Sequence, residues 1–385
     1  MATTITSGVQ YSGIWTMQQV NSAISANTWP IMAPALYAWG ANQNGQLGLG
    51  NRTNYSSPKQ VGALKTWASV SSGGGFASAI KTDGTLWTWG SSQLGQLGLG
   101  NLTYYSSPKQ VGSLTAWSIV ANGIYNTIVL KTDGTLWAWG YNAQGQLGLG
   151  NRTDYSSPKQ VGALTTWLRI ASGYGRTAAI KTDGTMWTWG SNVNGQLGLN
   201  NRTAYSSPKQ VGSLTNWLQV SAGYTHCSAV KTDGTIWTWG ANSTGALGLG
   251  NTTDYSSPKQ VGSLTNWLSV AAGYNSTFAI KTDGTFWSWG TGADGRLGLG
   301  NLTNYSSPKQ IGALTNWSKV ASGIQSPNSI AITTSGELYG WGSNLNGQLG
   351  LGNTTAYSSP KQVGSLAVWS QISVGKLHAV GIAVT

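Results

Sequence analysis

Short apolar runs alternate with turn residues along most of the chain. In residues 77–90, ASAIKTDGTLWTWG, a small apolar run is followed by Lys-Thr-Asp-Gly and then by aromatic residues at alternate positions. Asp-Gly between two such runs is a strong hairpin signal, so strands are expected over 77–80 and 85–89. A third strand is expected over 59–64, opened by Pro58 at its edge, and a fourth over 67–71. Four short strands in about 50 residues make one blade of a β-propeller.

The unit recurs. Gly-Gln-Leu-Gly-Leu-Gly or a close variant begins at 45, 95, 145, 195, 245, 295 and 347. Tyr-Ser-Ser-Pro-Lys-Gln begins at 55, 105, 155, 205, 255, 305 and 357, and a Trp-Gly pair at 39, 89, 139, 189, 239, 289 and 341. The period is 50 residues, with a last step of 52 whose two extra residues lie within 324–330. Self-similarity at such a period marks a repeat architecture. Residues 369–384 match the start of the blade pattern, 67–80, and stop before the hairpin return, which Leu36, Tyr37, Ala38 and Trp39 can supply. The expectation is all-β: a seven-bladed β-propeller over 36–385, closed by pairing of the N- and C-terminal strands. An open solenoid would need polar terminal caps, and none is evident.

Residues 1–35 stand outside the repeats as a short N-terminal extension. They are expected to contain an amphipathic helix, with Thr16 as cap and Met17, Val20 and Ile24 on one stripe. Such a helix would cover one end of the propeller or attach it to a larger assembly.

Composition narrows the function classes. Charged residues make up 8% of the 385, against about 25% in an average protein. Gly occurs 55 times and Trp 21 times but Phe only 3 times, which suits tight turns between aromatic-packed strands. The net charge of +12 favours an anionic partner or surface only weakly, because the charges are sparse. One cysteine, Cys227, excludes an internal disulfide and a cysteine-rich metal site, and two histidines leave little for zinc. No secretory signal and no apolar run of about 18 residues is present, so no membrane insertion is expected.

Candidate chemistry is thin, and no cofactor is expected. Trp87 and Trp89 lie two apart on one strand and share a face, which invites base or sugar stacking, but most repeated tryptophans are expected in the core. Tyr55, Tyr105 and their equivalents are better placed for partial exposure. The glycines of 45–50 read as turns with φ > 0, since no Gly-Lys-Ser/Thr follows them. Lys59, Lys109, Lys159, Lys209, Lys259, Lys309 and Lys361 should form a seven-fold ring that meets an anionic surface or simply solvates the rim. Arg forks and interleaved aromatics are absent from that ring, so specific nucleic-acid recognition is not expected. His226 and Cys227 are adjacent but lack an acidic partner nearby in sequence, which argues against a catalytic pair. Asn-x-Thr beginning at Asn51 and its six equivalents reads as an Asx-type turn. The copies differ most at 41–44 and its equivalents, and at the chain reversals 74–77, 124–127, 174–177, 224–227, 274–277, 324–328 and 376–379. Loops on a rigid scaffold usually carry binding, so Tyr174, Tyr224 and Tyr274 are the expected recognition surface.

Trp39–Gly50 and 341–352, with the later Pro and Val-Gly and the Gly-x-x-His of 223–226 and 375–378, resemble the regulator-of-chromosome-condensation repeat. The resemblance covers 36–385 and implies a seven-bladed propeller. The family includes an exchange factor for the small GTPase Ran, enzyme inhibitors, ubiquitin-ligase modules and membrane-channel partners, so the fold does not set the function. The near-identical blades and nine acidic residues depart from an exchange factor, which needs one specialised wedge and asymmetric acidic contacts. Residues 11–30 resemble a module of virion and tail-fibre-like proteins of marine tailed phages, through Gly13, Trp15, Thr16 and Gln18 and the closing Trp29-Pro30. The resulting expectation is a non-enzymatic phage virion appendage or surface protein that contacts other virion proteins or a host surface component. The alternative is a free-standing bacterial interaction or enzyme-inhibitor module, cytoplasmic or extracellular.

Overall fold

The computed structural model describes residues 33–384. The expected helix with Thr16, Met17, Val20 and Ile24 lies outside them. Among the described residues, twenty-eight strands form seven four-stranded antiparallel sheets. In the blade that follows the first repeat motif the order is Trp67–Ser72, Phe76–Lys81, Leu86–Gly90 and Tyr105–Gln110. The first strand of each blade is innermost: Ser71, Val120, Ala171, Val220, Ala271, Val320 and Ser373 all line one axial channel.

The ring closes within one sheet. Tyr55–Gln60 and Pro34–Gly40 come from the start of the chain, His378–Val384 and Trp369–Val374 from its end. Pro34 pairs with Val384, and the register runs unbroken to Gly40 opposite His378. Two strands from each terminus therefore share a sheet.

The Trp-Gly and Gly-rich motifs lock neighbouring blades together. Trp89 is fully buried, and its indole N–H donates to the Gln46 carbonyl of the preceding blade at 2.9 Å. Gly48 of that blade lies on the indole, so a Cβ there would come within 2.9 Å of Nε1, and its φ of +71° independently favours glycine. The contact recurs around the ring and ends where Gly350 packs on Trp39. In five blades the first-strand tryptophan meets two tryptophans of the third strand edge-on, as Trp67 meets Trp87 and Trp89 at 6.5 and 6.4 Å. Such pairs add about 0.5–1.5 kcal/mol beyond area burial.

One strand of the blade differs from expectation. The outer strand is Tyr55–Gln60, not 59–64, and Pro58 sits inside it. The irregularity that admits Pro58 is visible in the next copy, where Tyr105 faces Gly90 while Lys109 faces Thr88. Four residue steps oppose two, so the edge strand bulges and Pro108 owes no ladder hydrogen bond. The hairpin reading holds, with a side-chain clasp added: Thr85 donates through its N–H and hydroxyl to the Asp83 carboxylate at 2.9 and 2.6 Å. These bonds hold the Asp83 carboxyl below its usual range. The Asx-turn reading holds in all seven copies, as in the Thr53 N–H donating to Asn51 Oδ1 at 3.0 Å. The two inserted residues lengthen the turn between Trp317–Ser322 and Asn328–Thr333.

Candidate functional site

Antiparallel pairing puts the variable segments on one face. The reversal between the first two strands of each blade and the loop after its third strand emerge together, because Phe76 pairs with Gly90. The KTDG turns and the 61–66 connections, which scarcely vary, emerge on the other side.

On the variable face the tyrosines meet. Tyr174 and Tyr224, on successive tips, are stacked with centroids 4.7 Å apart and planes at 26°. Tyr224 meets Tyr274 at 4.8 Å and 63°. Tyr174 is 42% exposed and the other two are half-buried. Burial first, and then the neighbouring phenols, push the Tyr224 hydroxyl above its usual range. The arc thus spans three adjacent blades as one aromatic surface.

Two arginines set the arc, and sequence reasoning missed both. Arg176 is buried, and its guanidinium donates to the carbonyls of Tyr224 and Gly223 at 2.9 Å each and to that of His226. It holds the next tip from below, with three backbone carbonyls and the Cys227 sulfur taking its hydrogen bonds. Arg296 donates to the Tyr274 carbonyl at 2.9 Å, pairs with Asp294 at 2.8 Å and lies over the Tyr274 ring. Both were marked by a sequence signal: each replaces an uncharged residue at its repeat position, Gln in most copies for Arg296.

Tyr125 and Tyr141 were also missed. Tyr125 sits one residue later in its tip than Tyr174 does, and Tyr141 occupies a loop position that carries Ala, Ser or Thr elsewhere. Their rings meet edge-on at 6.2 Å. They border a cavity of about 540 Å³ that runs from Gln93 across Tyr125 and Tyr141 to Tyr174.

The lysines behave differently. All seven are exposed on the outermost strands of seven different sheets. Each amine lies over the tyrosine four residues earlier, at 5.3–5.6 Å, as Lys59 does over Tyr55. They form a girdle around the rim and do not converge. Of the repeated tryptophans, Trp89 and Trp67 and their equivalents are buried, while Trp87 and its equivalents are half-buried under a lysine, with Lys81 at 3.9 Å.

His226 and Cys227 are successive strand residues and point to opposite faces of their sheet. His226 Nε2 meets the Thr277 hydroxyl at 2.8 Å, while Cys227 Sγ accepts from Arg176 Nε at 3.2 Å. Burial, aided by the Arg176 charge, pushes the His226 pKa down to about 3. The geometry therefore gives neither residue the other as a base or nucleophile. Among the described residues no group of three or more His, Cys, Asp or Glu is placed to hold a metal ion, and no helix is long and apolar enough to cross a membrane.

A closed ring of near-identical sheets, constant on one side and individually edged on the other, defines a repeat propeller that presents loops from a fixed frame. The chain belongs to the RCC1-like domain family, whose sequence profile matches residues 155–381. Profiles of the regulator of chromosome condensation (RCC1) repeat match 35–80, 83–130 and 118–146. Solved structures agree on the fold. Human WBSCR16 superposes with a TM-score of 0.81 at 23% identity, over 91% of this chain and 99% of that one. Prp20p from Saccharomyces cerevisiae, described with its binding to Gsp1p and histones, gives 0.80 at 20% identity, over 92% of both chains. Yeast RCC1 (Prp20), solved bound to Kap60, gives 0.80 at 19%, over 100% of this chain and 97% of that one. The RCC1-like propeller fold points to a binding or regulatory protein.

Proposed function

We propose that the chain is a non-enzymatic binding scaffold that works through its variable face. The observation that carries this reading is the tyrosine arc. Tyr174, Tyr224 and Tyr274 touch in sequence across three blades, and Arg176 and Arg296 fix the backbone beneath them. Tyrosine offers a large, stiff contact area with a polar tip, and holding it in place beforehand lowers the entropic cost of binding. The remaining blades repeat one another closely, which suits a support. The rim lysines would add a diffuse attraction to anionic surfaces.

In this proposal residues 36–385 are the binding propeller and 1–35 an attachment segment of a phage virion appendage that contacts host or capsid partners. Support for the virion setting comes from the likeness of residues 11–30 to tail-fibre-like modules. A second reading, a free-standing interaction module, draws on the closed sheet, since the propeller completes itself without another chain.

A photo-crosslinking amino acid placed at position 224, and separately at position 59, tests the face assignment in the native setting. Covalent adducts of one mass are expected from 224 and none from 59. Adducts from 59 alone, or from neither position, would overturn it.

A further inference from the structure

We propose that the cavity of about 540 Å³ at the end of the tyrosine arc is a binding site for an uncharged saccharide. The inference rests on the variable face being the recognition surface, and names the class of ligand that face takes. Its size is that of a small-molecule site, about 300–1,000 Å³.

The lining selects the chemistry. Three aromatic rings, Tyr125, Tyr141 and Tyr174, provide flat apolar surface, and the side chains of Gln93, Gln144 and Ser191 provide amide and hydroxyl groups. Amides and hydroxyls both donate and accept, which matches a ligand whose own groups do both. A sugar ring is such a ligand: apolar C–H patches on its faces, hydroxyls round its edge. Among the described residues no lysine, arginine, aspartate or glutamate lines the cavity, so an anionic or cationic ligand would find no counter-charge. A wholly apolar ligand would strip water from the amides and leave them unpaired. The rings of Tyr125 and Tyr141 stand at 82°, so they form no parallel slot for a nucleobase.

The other copies of the unit act as internal controls. The loop position of Tyr141 is Ala41, Ser91, Ser191, Ala241, Thr291 and Ser343 in the remaining blades, and the tip position of Tyr125 is Gly75 in the preceding blade and Gly175 in the next. Gly175 keeps the floor open: a Cβ would lie 3.6 Å from Gln144 and 3.7 Å from Ser191, and φ of +68° disfavours any side chain there. Aromatic walls and an empty floor therefore coincide at this cleft through residues that its neighbours lack. Blade geometry alone does not generate them.

The test is saturation-transfer NMR on the full chain against three sets of probes. These are neutral oligosaccharides (maltotriose, lactose, chitotriose and a neutral glycan library), sialylated or sulfated oligosaccharides, and adenosine. Transfer to at least one neutral oligosaccharide is expected, with Kd weakened about tenfold by Tyr141→Ala and little changed by Tyr141→Phe. Gln144→Ala, at an exposed position, is a second variant should Tyr141→Ala fail to fold, and is expected to weaken binding several-fold. No transfer to any neutral sugar, transfer only to the anionic sugars or adenosine, or binding indifferent to these variants overturns the inference. Crosslinks from position 224 with a silent sugar panel would remove the saccharide and leave the recognition face standing. Sugar binding without those crosslinks would keep the cleft as the site on this face and remove the rest of the arc as a surface for a protein partner.

Discussion

Two buried positions, one residue apart in the register of the same hairpin, contrast the frame with the recognition face. Trp89 and its six equivalents are the same residue, each fully buried and each donating to a carbonyl of the preceding blade. The residue opposite the glycine that follows is Phe76, Asn126, Arg176, His226, Ser276, Asn328 or His378, all of them buried as well. Burial alone does not force uniformity. The tryptophan meets a copy of the same Gly-rich turn each time, so one solution serves seven interfaces. The variable residue faces the tip of the next blade, and each tip differs. Asn126 donates to Ser172 at 3.0 Å, Arg176 grips the carbonyls of the 224 tip, and His226 meets Thr277. The lesson is a division of labour in which stability is copied and shape is individually set.

The largest break in the comparison is expected from the frame. Trp189→Ala should cost about 3–5 kcal/mol, the range for large aromatic truncations in a packed core. It also removes one of the two donors to the Gln146 carbonyl, which accepts from Trp189 at 2.9 Å and keeps the Thr177 hydroxyl at 2.8 Å. Chemical denaturation measures it, and a loss below about 1 kcal/mol would mean the interface relaxes around the gap. Arg176→Met comes next, at about 2–4 kcal/mol, because several buried carbonyls lose a charged donor while a desolvated guanidinium is also removed. Here the damage should be local: amide exchange should quicken at 223–226 while the opposite turns stay protected. Uniform loss of protection would show that the tips belong to the cooperative frame.

Acid should separate the two regions further. Burial lowers the pKa of His226 to about 3 and that of His378 to about 4. Both lie below the unfolded value near 6.5, so unfolding takes up protons in that interval. The stability each neutral ring contributes is complete above about pH 6.5 and is lost as pH falls toward the folded pKa. Between pH 6 and 5 the pair should cost about 2–3 kcal/mol, at up to 1.4 kcal/mol per unit for each ring. His226→Asn should flatten that slope by about half. An unchanged slope would mean that His226 is solvated and charged in the fold.

Much of this was legible because the repeat supplies its own comparison. Seven copies of Trp-Gly and of the Gly-rich motif, with five of the Asp-Gly turn, identify the blades, and the truncated last copy predicts the shared sheet. The outer strand differs because Pro58 reads in sequence as a strand opener, whereas a two-residue bulge lets an edge strand carry it. The arc was read from Tyr174, Tyr224 and Tyr274, which occupy one repeat position. Tyr125 and Tyr141 escaped because they hold different positions and are brought together only by the fold. Arg176 escaped because a lone arginine in a strand reads as a surface residue, and its partners are carbonyls about fifty positions away.

On the recognition face, Tyr174→Ala with Tyr224→Ala and Tyr274→Ala should lower stability by only about 1–2 kcal/mol, since these rings are partly exposed. Binding, read by the crosslinks at a neighbouring tip position, should collapse. A fall in stability matching that of Trp189→Ala would make the arc part of the core and remove its claim to be a site.

The smallest effect is expected at the rim, where position and chemistry repeat but the residues never meet. Each girdle lysine lies over its own tyrosine on a separate sheet edge, an exposed cation–π contact worth about 0.5–1 kcal/mol. Lys59→Gln should change stability by no more than about 1 kcal/mol. If the lysines act only through charge, salt-dependent retention on an anionic resin should fall in even steps as Lys59, Lys109 and Lys159 are replaced in turn. Additivity of that kind follows when charges lie further apart than the screening length of about 8 Å and share no ligand. An abrupt loss at the first substitution would instead mean that adjacent lysines hold one anion together. The rim would then rank with the tyrosine face as a place where the repeat is used for recognition, and the division between copied frame and individual site would no longer hold.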